Sequence, residues 1–180
     1  MMFETYSLGK VKNKIINTEP IFRNSDLVNI SIRAVKSGDI NNSHEFTNGL
    51  SSYEFCSLCR FAGLSTNLNL ISFKSDYQSS AISSLVSEGI WYAIDGMDSV
   101  VEENIDVNSD NYIFYNVSVD NFDLKFVKSL LSNRWWVCLE NINLVQMEKT
   151  YIPCVEDDYL LSKNSVLSDR ILTRIKNKIT

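Results

Sequence analysis

The strongest periodic signal in the chain is an apolar stripe near its middle. Its members are small or apolar residues at helical spacing: Ile82, Leu85, Val86, Gly89, Ile90, Ala93 and Met97. Recurrence at intervals of three and four residues predicts a long amphipathic helix that buries one face. Such a face needs a second apolar surface to pack on, so the segments before the helix constrain the fold.

Two apolar segments precede this helix, with a shorter helix between them. Residues 27–35 alternate in the manner of a strand, and residues 68–73 have the character of a second, buried strand. The face predicted to be buried in the first strand is formed by Val28, Ile30, Ile32 and Ala34. Ser51 and Glu54 fit a capping box that starts the intervening helix, and Gly63 is placed to end it. The order strand, helix, strand, helix predicts parallel strands with crossover helices, an α/β layer.

The pattern changes after residues 102–110, an acidic and polar stretch that we take as the domain boundary, giving domains 1–101 and 111–180. Beyond it, Tyr112–Val119 and residues 122–127 alternate and are joined by a two-residue turn, and residues 134–140 offer a third strand. This order predicts an antiparallel β unit. The adjacent Trp135 and Trp136 should face opposite sides of it.

The end of the chain is predicted to be helical. The acidic run at residues 156–158 suits the start of a short helix, because carboxylates favour a helix N-terminus. Another apolar stripe, consisting of Ile171, Leu172, Ile175 and Ile179, predicts a C-terminal helix.

Charge and hydropathy exclude two classes of partner. Seventeen basic side chains against 22 acidic ones give a net charge of −5, which argues against nucleic acid. No apolar run approaches the roughly 18 residues of a membrane helix, and the first residues do not resemble a signal peptide. We therefore expect a soluble, cytoplasmic protein.

Few residue types in the chain suit a metal or acid–base site. His44, the single histidine, is a candidate proton shuttle. It lies in the polar segment of residues 36–50, which is predicted to be a surface loop, and an exposed loop histidine is the preferred interpretation. Cys56 and Cys59 form a C-x-x-C pair that could make a zinc site with Cys138, Cys154 or His44. Because two of these cysteines lie within a predicted helix and the others are isolated, buried free thiols are the preferred interpretation.

Several short motifs occur in an order that resembles a known family. The most specific are Arg60-Phe61-Ala62-Gly63-Leu64-Ser65, Ile90-Trp91-Tyr92 and Arg134-Trp135-Trp136. Together with weaker matches at residues 6–10, 23–27, 48–50 and 152–154, they resemble the C-terminal half of ureohydrolase-family proteins of the Bacteroidetes type. That group includes arginase, agmatinase and formimidoylglutamase. The resemblance implies a three-layer α/β/α fold and, in active members, two manganese ions that activate a bridging water.

The resemblance also implies where functional residues should lie. Ser31 and Arg33 stand at the positions of an Asp-x-Asp metal motif, and neither is a carboxylate. Glu54 matches a glutamate that faces the substrate in active members, although its role in a capping box is the preferred interpretation. The family's histidine-bearing half has no counterpart in this sequence. No manganese or other cofactor is therefore expected on this chain.

From these observations we expect a truncated ureohydrolase-like protein, catalytically inactive by itself, that acts as a pseudoenzyme or interaction subunit. Its partner would be a second copy or a chain equivalent to the missing N-terminal half. An open strand edge or an apolar patch larger than a few hundred Å² should then flank the parallel strands. One alternative is half of a split manganese ureohydrolase completed by that separate chain, and another is a small zinc-binding module.

Overall fold

A computed structural model describes residues 4–41, 46–139 and 151–179. The chain forms two compact units. The parallel unit is Tyr6–Glu102, and the antiparallel unit is Glu103–Thr180 together with the first five residues. Within the described ranges, no helix has the length and apolar character needed to cross a membrane.

The parallel unit is a two-stranded sheet with helices. Its elements in chain order are α1 (Leu8–Asn13), a 3-10 turn (Ile15–Thr18), α2 (Glu19–Phe22), β1 (Leu27–Ser31), a second 3-10 turn (Ile32–Ala34), α3 (Ser37–Ile40), α4 (Ser52–Gly63), β2 (Leu70–Lys74) and α5 (Ser80–Asp98). β1 and β2 pair in parallel, with Leu27 opposite Leu70. The predicted strand–helix–strand–helix order is confirmed, and the helices before β1 and α3 were not predicted.

β1 is shorter than its alternating pattern predicted. The chain leaves the strand after Ser31 and enters the 3-10 turn, so Ala34 is exposed and Val35 is buried in its place. Backbone hydrogen bonds explain the change, since the N–H of Leu50 donates to the Ala34 carbonyl at 2.7 Å. Gly49 allows this close approach, because a Cβ there would lie 2.6 Å from the nitrogen of Lys36.

The core of the parallel unit lies between one face of the sheet and helices α4 and α5. Buried members from the strands, α4 and α5 include Val28, Ile30, Phe55, Cys59, Ile82, Leu85 and Ala93. The two helices cross closely, since a Cβ on Gly63 would lie 2.0 Å from the carbonyl oxygen of Ala93. Gly63 is the last residue of α4, but the cap after it is right-handed. Its absent side chain therefore serves helix packing, and the predicted end of α4 at Gly63 is confirmed.

The stripe on α5 is only partly buried. Ile82, Leu85, Gly89 and Ala93 are in the core, whereas Ile90 and Met97 are 45% and 47% exposed. The helix itself was predicted correctly. The expectation that all seven stripe residues would be covered fails at the side facing β2.

The antiparallel unit is a four-stranded sheet with two helices. Its elements are β3 (Tyr112–Val119), β4 (Phe122–Ser129), β5 (Trp135–Leu139), β6 (Ile152–Cys154), α6 (Glu156–Lys163) and α7 (Asp169–Ile179), and the strand order is β3-β4-β5-β6. The predicted hairpin of β3 and β4 is present, with Asp120 at φ 52° in its turn. β6 was not predicted, and Pro153 within it suits its place at the edge of the sheet.

The two tryptophans of β5 serve opposite faces of this sheet, as predicted. Trp135 stacks with Tyr115 and Tyr159 at ring-centroid distances of 5.4 and 5.2 Å, on the face that carries Ile171 and Ile175 of α7. Trp136 packs on the other face with Tyr112. Both faces of the antiparallel sheet therefore carry buried aromatic side chains.

Candidate functional site

Ser31 and Arg33, which the sequence resemblance predicted to stand at metal-motif positions, lie at the carboxyl edge of the parallel sheet. Ser31 is the last residue of β1 and pairs with Lys74 at the end of β2. Arg33 lies in the turn beyond the strand, and its Nη1 is 3.5 Å from Oδ2 of Asp76. Both side chains of this ion pair are about half exposed, at 56% and 43%. A guanidinium has no lone pair to offer a metal, so this edge is built around a cation of the protein itself.

Glu54 forms the capping box that its spacing predicted. Its Oε2 accepts hydrogen bonds from the backbone nitrogen of Ser51 at 2.7 Å and from the Ser51 hydroxyl at 3.0 Å. In return, Oγ of Ser51 accepts from the backbone nitrogen of Glu54 at 3.2 Å. The carboxylate is thereby held at the start of α4 by local contacts.

Asp39 is a second cap of α4 that the sequence did not reveal. Its Oδ2 accepts from the backbone nitrogen of Ser52 at 2.7 Å and from the Ser52 hydroxyl at 3.0 Å, and its Oδ1 is 3.2 Å from Nζ of Lys36. The Ser52 backbone N–H, followed by Lys36, lowers the pKa of Asp39 below its ordinary value. Two carboxylates therefore occupy the positive end of the α4 dipole.

The described part of the polar segment before α4, residues 36–41 and 46–50, is not all loop as predicted. It contains α3, whose Ile40 is buried, and Asn41 follows in the left-handed conformation. This short helix places Asp39 beside Ser52. His44, the weaker catalytic candidate, lies outside the described residues.

All four cysteines are buried, and none of them is in a disulfide bond. Cys56 and Cys59 lie on α4, and burial raises the pKa of the Cys59 thiol to about 12 and also raises that of Cys56. Cys138 and Cys154 lie on β5 and β6. In the part of the chain that the structure describes, no three or more His, Cys, Asp or Glu residues form a group suited to a metal ion.

A groove of about 300 Å³ runs between β2 and α5. It is lined by apolar side chains apart from one asparagine: Leu68, Asn69, Leu70, Ile71, Phe73, Ile90, Ala93, Ile94 and Met97. The sheet has two strands, so within the described residues the outer edge of β2 pairs with no strand. The sequence feature that marks this groove is part of the α5 stripe. Ile90 and Met97 belong to that stripe and line the groove, and the core does not cover them.

No family model, curated protein or solved structure matches this chain. The ureohydrolase resemblance therefore rests on the sequence motifs alone.

Proposed function

We propose that this chain is a ureohydrolase-like protein without hydrolytic activity of its own, and that it acts by binding another protein chain. The ion pair between Arg33 and Asp76 carries the proposal. It lies at the carboxyl edge of the parallel strands, where active family members would hold metal-binding carboxylates. A guanidinium cannot ligate a divalent cation, and here it pairs with the nearby carboxylate of Asp76.

Glu54 gives further support. A glutamate that faces a substrate needs a free carboxylate, whereas this one accepts hydrogen bonds from the Ser51 backbone and hydroxyl. Hydrolysis of a guanidinium or amidine group in this family also needs a metal-activated water. Glu54 alone cannot supply that nucleophile, and as a cap it contributes to stability instead.

The binding role is supported by the open side of the parallel sheet. In this proposal the parallel unit corresponds to part of a three-layer α/β/α fold, in which further strands and helices would cover a parallel sheet on both edges and faces. The apolar groove beside β2 is the surface that such elements would have covered. A protein partner bound in the groove would bury the same apolar surface.

An activity assay tests the proposal that this chain has no hydrolytic activity of its own. The purified full chain is incubated with excess Mn²⁺ and, in turn, arginine, agmatine and formimidoylglutamate, and the products are measured by mass spectrometry. We expect no turnover above that of a heat-denatured control. Turnover that scales with protein concentration and disappears with a chelator would contradict the proposal.

A split manganese ureohydrolase is the second candidate. The edge of β2, which pairs with no strand among the described residues, favours it. A chain carrying the missing half would add strands there and supply histidine and aspartate ligands. The discriminating experiment is to co-express this chain with the product of a neighbouring reading frame that matches the N-terminal half. Manganese-dependent hydrolysis by the co-purified pair, but by neither chain alone, would establish this candidate in place of the first.

A further inference from the structure

We infer that Glu4 fastens the segment before α1 onto α7, and that the turns of α7 beyond Arg170 loosen when this contact is released. The first five residues belong to the antiparallel unit, and the parallel unit begins at Tyr6. Glu4 and Thr5 lie in no helix or strand, so their release breaks no element of the fold. The inference concerns a conformational device in the antiparallel unit and is independent of the proposed function.

The carboxylate of Glu4 lies between two arginines of α7. Its Oε1 is 3.8 Å from Nε of Arg170 and 3.6 Å from Nε of Arg174. The two arginines are four residues apart, so they lie one above the other on one face of the helix. Like charges at that spacing destabilise a helix. Because one carboxylate oxygen pairs with both guanidinium groups, Glu4 turns this repulsion into two attractions.

Burial strengthens one of these two ion pairs more than the other. The side chains of Glu4 and Arg170 are 11% and 4% exposed, whereas that of Arg174 is 49% exposed. Charges interact more strongly where water is excluded, and removal of a carboxylate from beside a buried guanidinium is costly. Arg174 can turn into solvent, so α7 can separate from Glu4 at this residue first.

Asp158 shows why the contact with Glu4 is the one that releases. Oδ2 of Asp158 accepts a hydrogen bond from Nη1 of Arg170 at 2.6 Å and another from the backbone nitrogen of Val155 at 3.0 Å. The pairs of Glu4 Oε1 with the arginines are too long for hydrogen bonds, and no described residue donates one to this oxygen. The first turn of α7 therefore stays fixed to α6 when Glu4 leaves.

The part of α7 that loosens carries core residues. Ile175 follows Arg174, is 4% exposed, and packs in the same apolar cluster as Val119 and Leu124 of the sheet. Opening of these turns exposes that apolar surface to water. α6 keeps its own cap at Asp158, so its backbone hydrogen bonds should persist.

Hydrogen exchange of the full chain, followed by mass spectrometry at neutral pH, tests the inference. Glu4→Gln keeps the size of the side chain and removes its charge. We expect the amides of α7 beyond Arg170 to exchange roughly three- to tenfold faster, the effect of losing ion pairs of this kind on local opening. The amides of α4, α5 and α6 should exchange at the wild-type rate. Glu156→Gln is the matched control, because it removes an exposed glutamate from the first turn of α6 and should leave α7 unchanged.

Two variants at Arg174 test the part played by charge. Arg174→Glu, at a half-exposed position, places a carboxylate beside Glu4 and should also speed the exchange of α7. In an Arg174→Gln background, Glu4→Gln should have a smaller effect than in wild type, because no second guanidinium is left to repel Arg170. A contact that acts only by packing would give the same effect in both backgrounds.

Unchanged exchange of α7 in Glu4→Gln and in Arg174→Glu would overturn the inference. Faster exchange spread evenly over α4, α5, α6 and α7 would also overturn it, since that pattern indicates general destabilisation. An equal effect of Glu4→Gln in the wild-type and Arg174→Gln backgrounds would show that repulsion between the arginines is not the cause.

Discussion

At the residue scale, the two caps of α4 show which contacts a sequence reveals. Ser51 and Glu54 are three residues apart, so they can form reciprocal hydrogen bonds at the N-terminus of any helix that starts there. Asp39 makes an equally short bond to Ser52 from thirteen residues earlier. That contact depends on α3, which carries Asp39, and on the close approach of Gly49 to Lys36, which brings the start of α4 beside it. Local spacing therefore predicted the first cap and could not predict the second.

The Asp39 cap leads to a prediction about pH. Asp39→Ala should lower the free energy of unfolding by about 1 kcal/mol at neutral pH, the usual effect of removing a cap. Because the pKa of Asp39 is lower in the folded chain than its ordinary value of 3.8, its ionised form stabilises the fold above that pH. The stabilisation is lost as the pH falls through the folded-state pKa, so the difference from wild type should shrink below pH 3.8.

Urea unfolding of both proteins, from neutral pH down to about pH 3, measures this difference. Asp76→Ala is a suitable control, since it removes an exposed ion pair with Arg33 and should change stability by less than about 0.5 kcal/mol. An Asp39→Ala effect no larger than that of the control would show that the cap contributes nothing.

At the element scale, the helices and strands predicted correctly are those whose pattern lies within the element itself. β3 and β4 alternate without interruption and are joined by a two-residue turn, so both strands and their pairing were predicted. β1 was predicted four residues too long, because its alternation continues into a 3-10 turn. Hydrogen bonds with Leu50 impose that turn. β6 has three residues, and its pairing with β5 decides its conformation. Short elements that depend on distant partners leave little pattern in the sequence.

The crossing of α4 and α5 is the packing feature most sensitive to substitution. Gly63→Ala should cost about 3 kcal/mol, the upper range for overpacking, because its Cβ would meet backbone atoms of Ala93 that cannot move without separating the helices. Gly38→Ala is the matched control. A Cβ on Gly38 meets nothing within 4 Å and its φ is not positive, so stability should change by less than about 0.5 kcal/mol.

Thermal and urea unfolding of the two glycine variants, monitored by circular dichroism, compare these costs. A Gly63→Ala protein as stable as the Gly38→Ala protein would mean that the helices cross less closely than the structure indicates.

At the scale of the whole molecule, the chain combines a parallel and an antiparallel unit, each with its own core. Sequence periodicity predicted both sheet types. It did not predict that the described part of the parallel sheet would have only two strands, since the number of strands depends on partners elsewhere in the chain or outside it. The sequence alone predicted that Ser31 and Arg33 lack the carboxylates of a metal motif. The ion pair between Arg33 and Asp76 could be seen only in the folded structure.

Manganese content decides whether the carboxyl edge of the parallel sheet, with its ion pair of Arg33 and Asp76, can hold a dinuclear metal site. The full chain is purified with excess Mn²⁺, dialysed, and analysed for metal per chain. We expect no stoichiometric manganese, because Ser31 and Arg33 offer no carboxylate and Arg33 pairs with the nearby carboxylate of Asp76. Two tightly held manganese ions per chain would contradict it.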